Sequence, residues 1–220
     1  MFLEIASVLT PAELTRLREI ARTSEFVDGR ISNPQNQTKN NLQLHGQGGA
    51  AKESSLLLAH ALRRSEPFRN YTFPNRFAPP LMCRYVPGMS YGRHSDAAFL
   101  SVDSALLRAD VACTVFIAEP SAYEGGELTI HLGTQSVSVK GAAGSAVVYP
   151  STTIHEVRPV TRGERLVAIT FVESQIADER KRDLLYTLNE VVALEGLSLS
   201  WDSRVRLEQV RQSLHRMWAQ

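Results

Sequence analysis

Between Tyr71 and Phe171 the chain is a series of short apolar runs, each cut off by proline or glycine. The runs Leu81–Tyr85, Ala112–Ile117, Glu127–Ile130, Ser136–Val139, Ala146–Tyr149 and Arg165–Phe171 are strand-sized and too short for ordinary helices. Several short strands with regular turn signals restrict the fold to an all-β sandwich or barrel. A jelly roll of two facing sheets fits best.

The flanks differ. Thr10-Pro11-Ala12-Glu13 is a capping box with proline at the first helical position, and Leu14, Leu17, Ile20 and Ala21 follow at helical spacing. Ser54 to Leu62 reads as a second helix, with Leu57, Leu58, Ala61 and Leu62 on its apolar side. Between them, roughly Asp28 to Gly49 is a polar loop rich in Asn and Gln that makes no core. Its length suits a lid with side chains such as Asn33, Asn40 and Gln43 for a polar substrate; a plain surface loop fits equally. After Asp178 helical spacing returns through Leu184, Leu188, Val191, Val205, Leu214 and Trp218, giving a helical pair joined near Gly196. Helices of this kind pack on a core or a partner subunit, so a homo-oligomer is open. The expected organisation is an N-terminal helical segment (1–70), a jelly-roll core (71–175) and a C-terminal helical extension (176–220).

A chain of 220 residues with 43% hydrophobic and 21% charged residues can bury a sizeable core. Net charge of +1 argues for neither nucleic acid nor an acidic membrane surface. No stretch approaches the ~20 apolar residues that span a bilayer. Met1-Phe-Leu-Glu-Ile lacks the basic start of a signal peptide, so a cytoplasmic protein is expected. Cys83 and Cys113 sit in apolar runs and are read as buried reduced thiols.

The polar string His94-Ser95-Asp96 carries the chemistry. In an extended segment residues i and i+2 share a side, so His94 and Asp96 face one point. With His155 from a distant strand they make the two-histidine, one-carboxylate set that holds non-haem Fe(II) and leaves positions open. The same set suits catalytic zinc, although the chain has no His-Glu-x-x-His motif. A bare His-x-Asp is also common in solvated loops. Arg165 begins the alternation Arg165, Val167, Ile169, Phe171; a charge on that face wants an anion, and a solvated arginine at a strand start is the even alternative. Arg158 and Arg162 compete locally, but Arg162-Gly163 is turn chemistry and Arg162 is expected to be exposed. His131 lies in a turn-like His-Leu-Gly and is not expected to ligate; His45, His60 and His215 have no companion ligand. Thr161 and Ser174 are open candidates for an extra hydroxyl at an anion site.

The setting of these residues is more specific than the triad alone. The runs Tyr85-Val-Pro-Gly-Met-Ser-Tyr91-Gly-Arg-His94-Ser-Asp96, Tyr123-Glu-Gly-Gly126-Glu127-Leu128, Gly144-Ser-Ala-Val-Val-Tyr149-Pro150 and His155-Glu-Val-Arg-Pro-Val-Thr-Arg-Gly-Glu-Arg165 resemble the bacterial PKHD-type hydroxylases, relatives of prolyl and lysyl hydroxylases. The resemblance runs from about Leu81 to Phe171 and more loosely to both ends. It implies a double-stranded β-helix core, iron held by His94, Asp96 and His155, and 2-oxoglutarate held by Arg165 with Tyr85 in contact. It implies an enzyme that hydroxylates an unactivated C–H bond with O2, releasing succinate and CO2, with ascorbate as a reductant of the iron. The implied substrate is a peptidyl or free amino acid, or a small metabolite such as one linked to iron acquisition. The rival is a non-catalytic jelly roll that binds metal and a small acid as a sensor or store. Two departures, Ala97 for an expected Asn and His131-Leu-Gly for an expected Asp-containing turn, bear on the substrate pocket.

Overall fold

The computed structural model describes residues 1–46 and 48–220; Gln47, inside the predicted 28–49 loop, lies outside them. The N-terminal part carries β1 (Leu3–Ile5), α1 (Pro11–Thr23), β2 (Phe26–Asp28), β3 (Lys39–Asn40), β4 (Leu42–Leu44), α2 (Gly49–Arg64) and α3 (Glu66–Thr72). Next come β5 (Pro74–Phe77), β6 (Leu81–Tyr85), β7 (Ser90–His94), β8 (Phe99–Val102), β9 (Ala105–Arg108) and β10 (Val111–Phe116). The remaining strands are β11 (Tyr123–Gly125), β12 (Leu128–Leu132), β13 (Gln135–Val139), β14 (Ala146–Pro150), β15 (His155–Val157), β16 (Val160–Gly163) and β17 (Arg165–Ser174). The helices α4 (Glu179–Glu195) and α5 (Trp201–Trp218) close the chain.

Two antiparallel sheets face each other as a jelly roll. The large one runs β1-β14-β10-β17-β6-β4-β2, with β5 on the far end of β17; the small one runs β13-β12-β15-β7-β3. Strand alternation sorts the large sheet's side chains into two layers. Val111, Cys113, Val115, Val148, Leu166, Ala168 and Met82 point outward and are sealed by α1, α2 and α3 through Leu17, Leu58, Leu62 and Phe68. Ala112, Phe116, Val147, Tyr149, Val167 and Cys83 point inward and meet Leu128, Ile130, Val139 and Val157 of the small sheet. Both faces being covered, all six residues of β10 are buried.

Two sequence expectations need correction, and one open choice is decided. The 28–49 segment is not a coreless loop: it supplies β3 and β4, and Lys39, Asn41, Gln43 and Leu44 are buried. Burial there comes from pairing, Lys39 opposite Tyr91 and Gln43 opposite Cys83, which composition does not reveal. His131 sits inside β12 and approaches Glu156, while the turn falls at Gly133, whose φ is +64°. Ser174 is fully buried but turned to the Phe73 carbonyl, and Thr161 is exposed, so neither adds a hydroxyl to the central cavity. The capping box at Thr10 forms as expected, with Pro11 opening α1. Both cysteines are free and buried.

At the C-terminus α4 and α5 pack on each other and on Phe73 and Ile176 through Leu185, Tyr186, Leu214 and Trp218. Their far ends leave Leu194, Leu197 and Trp201 exposed. Among the described residues, no helix is long and apolar enough to cross a membrane.

Candidate active site

His94 ends β7 and His155 begins β15, and the two are directly paired across the ladder, so 60 intervening residues are bridged by one strand contact. The register shifts just after His155, and such an irregularity re-aims side chains. Asp96 follows two residues past His94, where its backbone N–H donates to the Ser151 carbonyl and ties it to the segment leading into His155. The Nε2 atoms of His94 and His155 lie 3.9 and 3.8 Å from Asp96 Oδ1, and one ligand atom from each of the three residues falls within 4.8 Å of the others.

The ring orientations are fixed from behind. His94 Nδ1 is 2.7 Å from the Gly92 carbonyl and His155 Nδ1 is 3.0 Å from the Thr153 carbonyl. A carbonyl only accepts, so each Nδ1 carries the proton and each Nε2 offers a lone pair toward Asp96. Tyr91 stacks on His94 with centroids 3.7 Å apart, and Tyr149 meets His155 edge-on at 5.0 Å. The Tyr91 hydroxyl in turn accepts from Asn33 and Asn36 at 3.2 and 3.4 Å, so the polar segment braces a histidine.

Without a cation this grouping is electrostatically unsatisfied. Burial pushes the Asp96 carboxyl up to about 7, and its Oδ2 has no hydrogen-bond partner among the described residues. Burial, with His94 adjacent, pulls His155 down to about 4, and burial lowers His94 as well. A divalent cation between them supplies the charge that Asp96 lacks and takes up the lone pairs of neutral imidazoles. The three residues therefore fit a metal ion.

Across the cavity, Arg165 opens β17 on the large sheet, opposite Tyr85 of β6, with its guanidinium 4.9 Å from the Tyr85 ring. It is 1% exposed, forms no ion pair among the described residues, and its Nε has no partner. A buried guanidinium left this way calls for an anion, and its planar fork suits a carboxylate. Room for it comes from Gly126, at φ +68°, where a Cβ would stand 3.0 Å from Arg165 Cδ. Arg162 is exposed and pairs with Glu124. Burial raises the Tyr85 phenol well above its ordinary range while Arg165 pulls the other way.

One inner cavity is lined by all five expected residues: His94, Asp96, His155, Arg165 and Tyr85. Sequence reasoning missed Lys39, Asn41 and Tyr149, which line it too. The first two had no signal, since their burial is set by the pairing of β3 and β4. Tyr149 stood in a strand whose inward face was readable.

Residues 81–173 match the family model described as the 2OG-Fe(II) oxygenase superfamily. A PKHD-type hydroxylase of Sphingopyxis alaskensis is 47% identical over 98% of both chains. The crystal structure of a Pseudomonas putida prolyl-4-hydroxylase shares the fold at TM-score 0.52 and 22% identity, covering 79% of this chain and 92% of that one. A Trichoplax adhaerens prolyl hydroxylase, solved with a hypoxia-inducible-factor peptide fragment, does so at TM-score 0.58 and 16% identity, covering 83% and 86%. The chain belongs to the PKHD-type hydroxylases, within the Fe(II)- and 2-oxoglutarate-dependent dioxygenases.

Proposed function

We propose that His94, Asp96 and His155 hold the iron, that Arg165 clamps the distal carboxylate of 2-oxoglutarate over Tyr85, and that the enzyme hydroxylates an unactivated C–H bond. The observation that carries this reading is the unpaired, fully buried guanidinium of Arg165 facing the triad in one cavity. When bound, Fe(II) with 2-oxoglutarate and O2 supplies the oxidising power for C–H hydroxylation, with succinate and CO2 as co-products. The chain's own residues bind, orient and exclude water. Three protein ligands leave the rest of the coordination sphere to co-substrate and O2. The carbonyls of Gly92 and Thr153 hold each imidazole in its ligating tautomer. Leu128 and Val157 give the inner cavity an apolar wall, which strengthens the charge-assisted bonds that Arg165 makes. Ascorbate as the reductant of the iron rests on the family resemblance alone.

Purified protein given Fe(II) is expected to convert 2-oxoglutarate to succinate, and His94→Ala to abolish this while the fold persists. Binding of metal and 2-oxoglutarate with no succinate in air would sink the enzyme reading and leave a sensor or store. Zinc competes for such a ligand set, so the metal must be exchanged before assay.

A further inference from the structure

The inner cavity opens into an outer cleft of about 590 Å³. Ala78, Pro79, Leu81, Phe99, Ile169 and Phe171 give that cleft a mainly apolar wall. Lys39 lines both chambers, as do His94 and Asp96, so it stands where the cleft meets the triad. It is the one Lys or Arg side chain on the cleft among the described residues. It is 5% exposed and forms no ion pair among them. Its Nζ donates to Ser32 Oγ at 2.6 Å and lies 5.6 Å from the Tyr91 ring centroid. Those contacts are neutral; Asp28 acts on the ammonium from beyond ion-pair distance, and its carboxylate is already held by Arg30, so the charge is poorly solvated and has no direct partner among the described residues. Packing does not require that charge: a methionine has similar length and no ammonium to desolvate.

The charges of the joined cavity show what is missing. Among the described residues Asp96 is the one carboxylate lining it, and Arg165 and Lys39 are its two Lys or Arg side chains, beside histidines that burial keeps neutral. With a divalent cation and a doubly negative 2-oxoglutarate in place, one positive charge stays uncompensated. Arg165 lines the inner chamber alone, whereas Lys39 reaches the cleft. We infer that Lys39 is a specificity-determining residue that receives a carboxylate of the substrate, so that the enzyme acts on an acid with an apolar body lying along the cleft. This inference rests on the functional reading above.

The test uses metal-exchanged, Zn(II)-loaded protein saturated with 2-oxoglutarate, and compares hexanoate with hexanamide by ligand-observed NMR. The two probes share an apolar chain and differ in charge. Wild type should hold hexanoate about tenfold more tightly than hexanamide, and Lys39→Met should close that gap while keeping 2-oxoglutarate affinity within about threefold. Lys39→Gln is the second variant if Lys39→Met does not fold, and the same closure is expected. Equal affinity of wild type for acid and amide, including binding of neither, would overturn the proposal. So would a loss of 2-oxoglutarate affinity in Lys39→Met as large as in Arg165→Met, which would assign Lys39 to the co-substrate. Failure of the metal-loaded wild type to bind 2-oxoglutarate would instead overturn the underlying reading, and this proposal with it.

Discussion

Strand β17 of the large sheet runs ten residues, in steady register with β10 and β6 and shifting only against β5 at its far end, whereas β7 and β15 of the small sheet run five and three. The long strand is hydrogen-bonded on both edges and covered on both faces. It contributes one buried charge, Arg165, at its first residue. The short strands carry the histidines at their ends, beside a register shift and a chain reversal. A regular ladder alternates side chains rigidly, so it holds a distant anchor well but cannot bring three ligands to one point. Strand ends and irregularities re-aim single residues at little cost to the rest of the sheet. The large sheet is thus the frame and the small sheet the instrument. Substitutions should separate along that line.

The largest effect is expected on the small sheet. Asp96→Ala should lose at least about a thousandfold in turnover, equivalent to about 4 kcal/mol. The metal-free variant should melt no lower than the metal-free wild type, because a buried carboxylate whose Oδ2 has no hydrogen-bond partner among the described residues has gone. Added Mn(II) should stabilise wild type by about 2.7 kcal/mol at a hundred times its dissociation constant, and the variant not at all. Thermal melts with and without metal read both. Collapse of the metal-free Asp96→Ala fold would break the comparison, since the small sheet would then be frame as well.

On the large sheet, binding and stability should come apart at neighbouring strands. Arg165→Met should weaken 2-oxoglutarate binding by about 2–5 kcal/mol with metal affinity unchanged, and Arg162→Ala should do little. Met82, fully buried on the outward face of β6, faces away from the cavity. Met82→Ala should cost about 2–5 kcal/mol of stability and leave 2-oxoglutarate affinity alone. Calorimetric titration beside denaturant melts distinguishes the two. A drop in co-substrate affinity in Met82→Ala would mean that the layers of the sheet are not independent.

A smaller effect should follow from loosening a brace. Tyr91→Ala removes the ring stacked on His94 and the acceptor for Asn33 and Asn36. Support of this kind is worth about 10–100-fold in metal affinity or activity. Unchanged iron affinity and turnover would show that the Gly92 carbonyl alone holds the ring.

What the sequence makes legible follows the same division. Strands β10, β14 and β17 are covered on both faces, so they read as short, nearly continuous apolar runs and stand out with boundaries shifted by only a few residues. His94 and Asp96 are legible from their spacing, and His155 as a lone histidine ahead of a strand. The polar N-terminal segment is not: Lys39 and Asn41 are surface-type residues, buried because Lys39 pairs with Tyr91, 52 residues away, and Asn41 adjoins Leu42, which pairs with Arg84, 42 residues away. Strands of two or three residues, such as β3 and β15, have too few positions for any periodicity. His-Leu-Gly resembles a turn, but His131 and Leu132 stay in β12 and only Gly133 takes the positive φ that a turn needs there; as expected, His131 is not among the grouped ligands.

The smallest effect is expected behind the large sheet, far from the chemistry. Glu13 closes the capping box of α1: the Thr10 backbone N–H donates to Glu13 Oε2 at 2.8 Å, and the Glu13 N–H donates to Thr10 Oγ1 at 3.3 Å. Arg64 of α2 donates to the same carboxylate at 2.9 and 3.0 Å and, with Thr10, holds it down to about 2 from an ordinary 4.5. A carboxyl depressed on folding contributes stability that is fully present above its unfolded value and lost as pH falls through its folded one. Glu13→Gln should therefore cost about 1 kcal/mol at neutral pH, the usual worth of a helix cap. That difference should shrink between about pH 4.5 and 2 and vanish below, while 2-oxoglutarate turnover at neutral pH stays as in wild type. Denaturant melts across that range give the first result and a succinate assay the second. A pH-independent cost would assign the effect to packing rather than charge, and a loss of turnover would tie the outer helices to the site that the large sheet is expected to insulate.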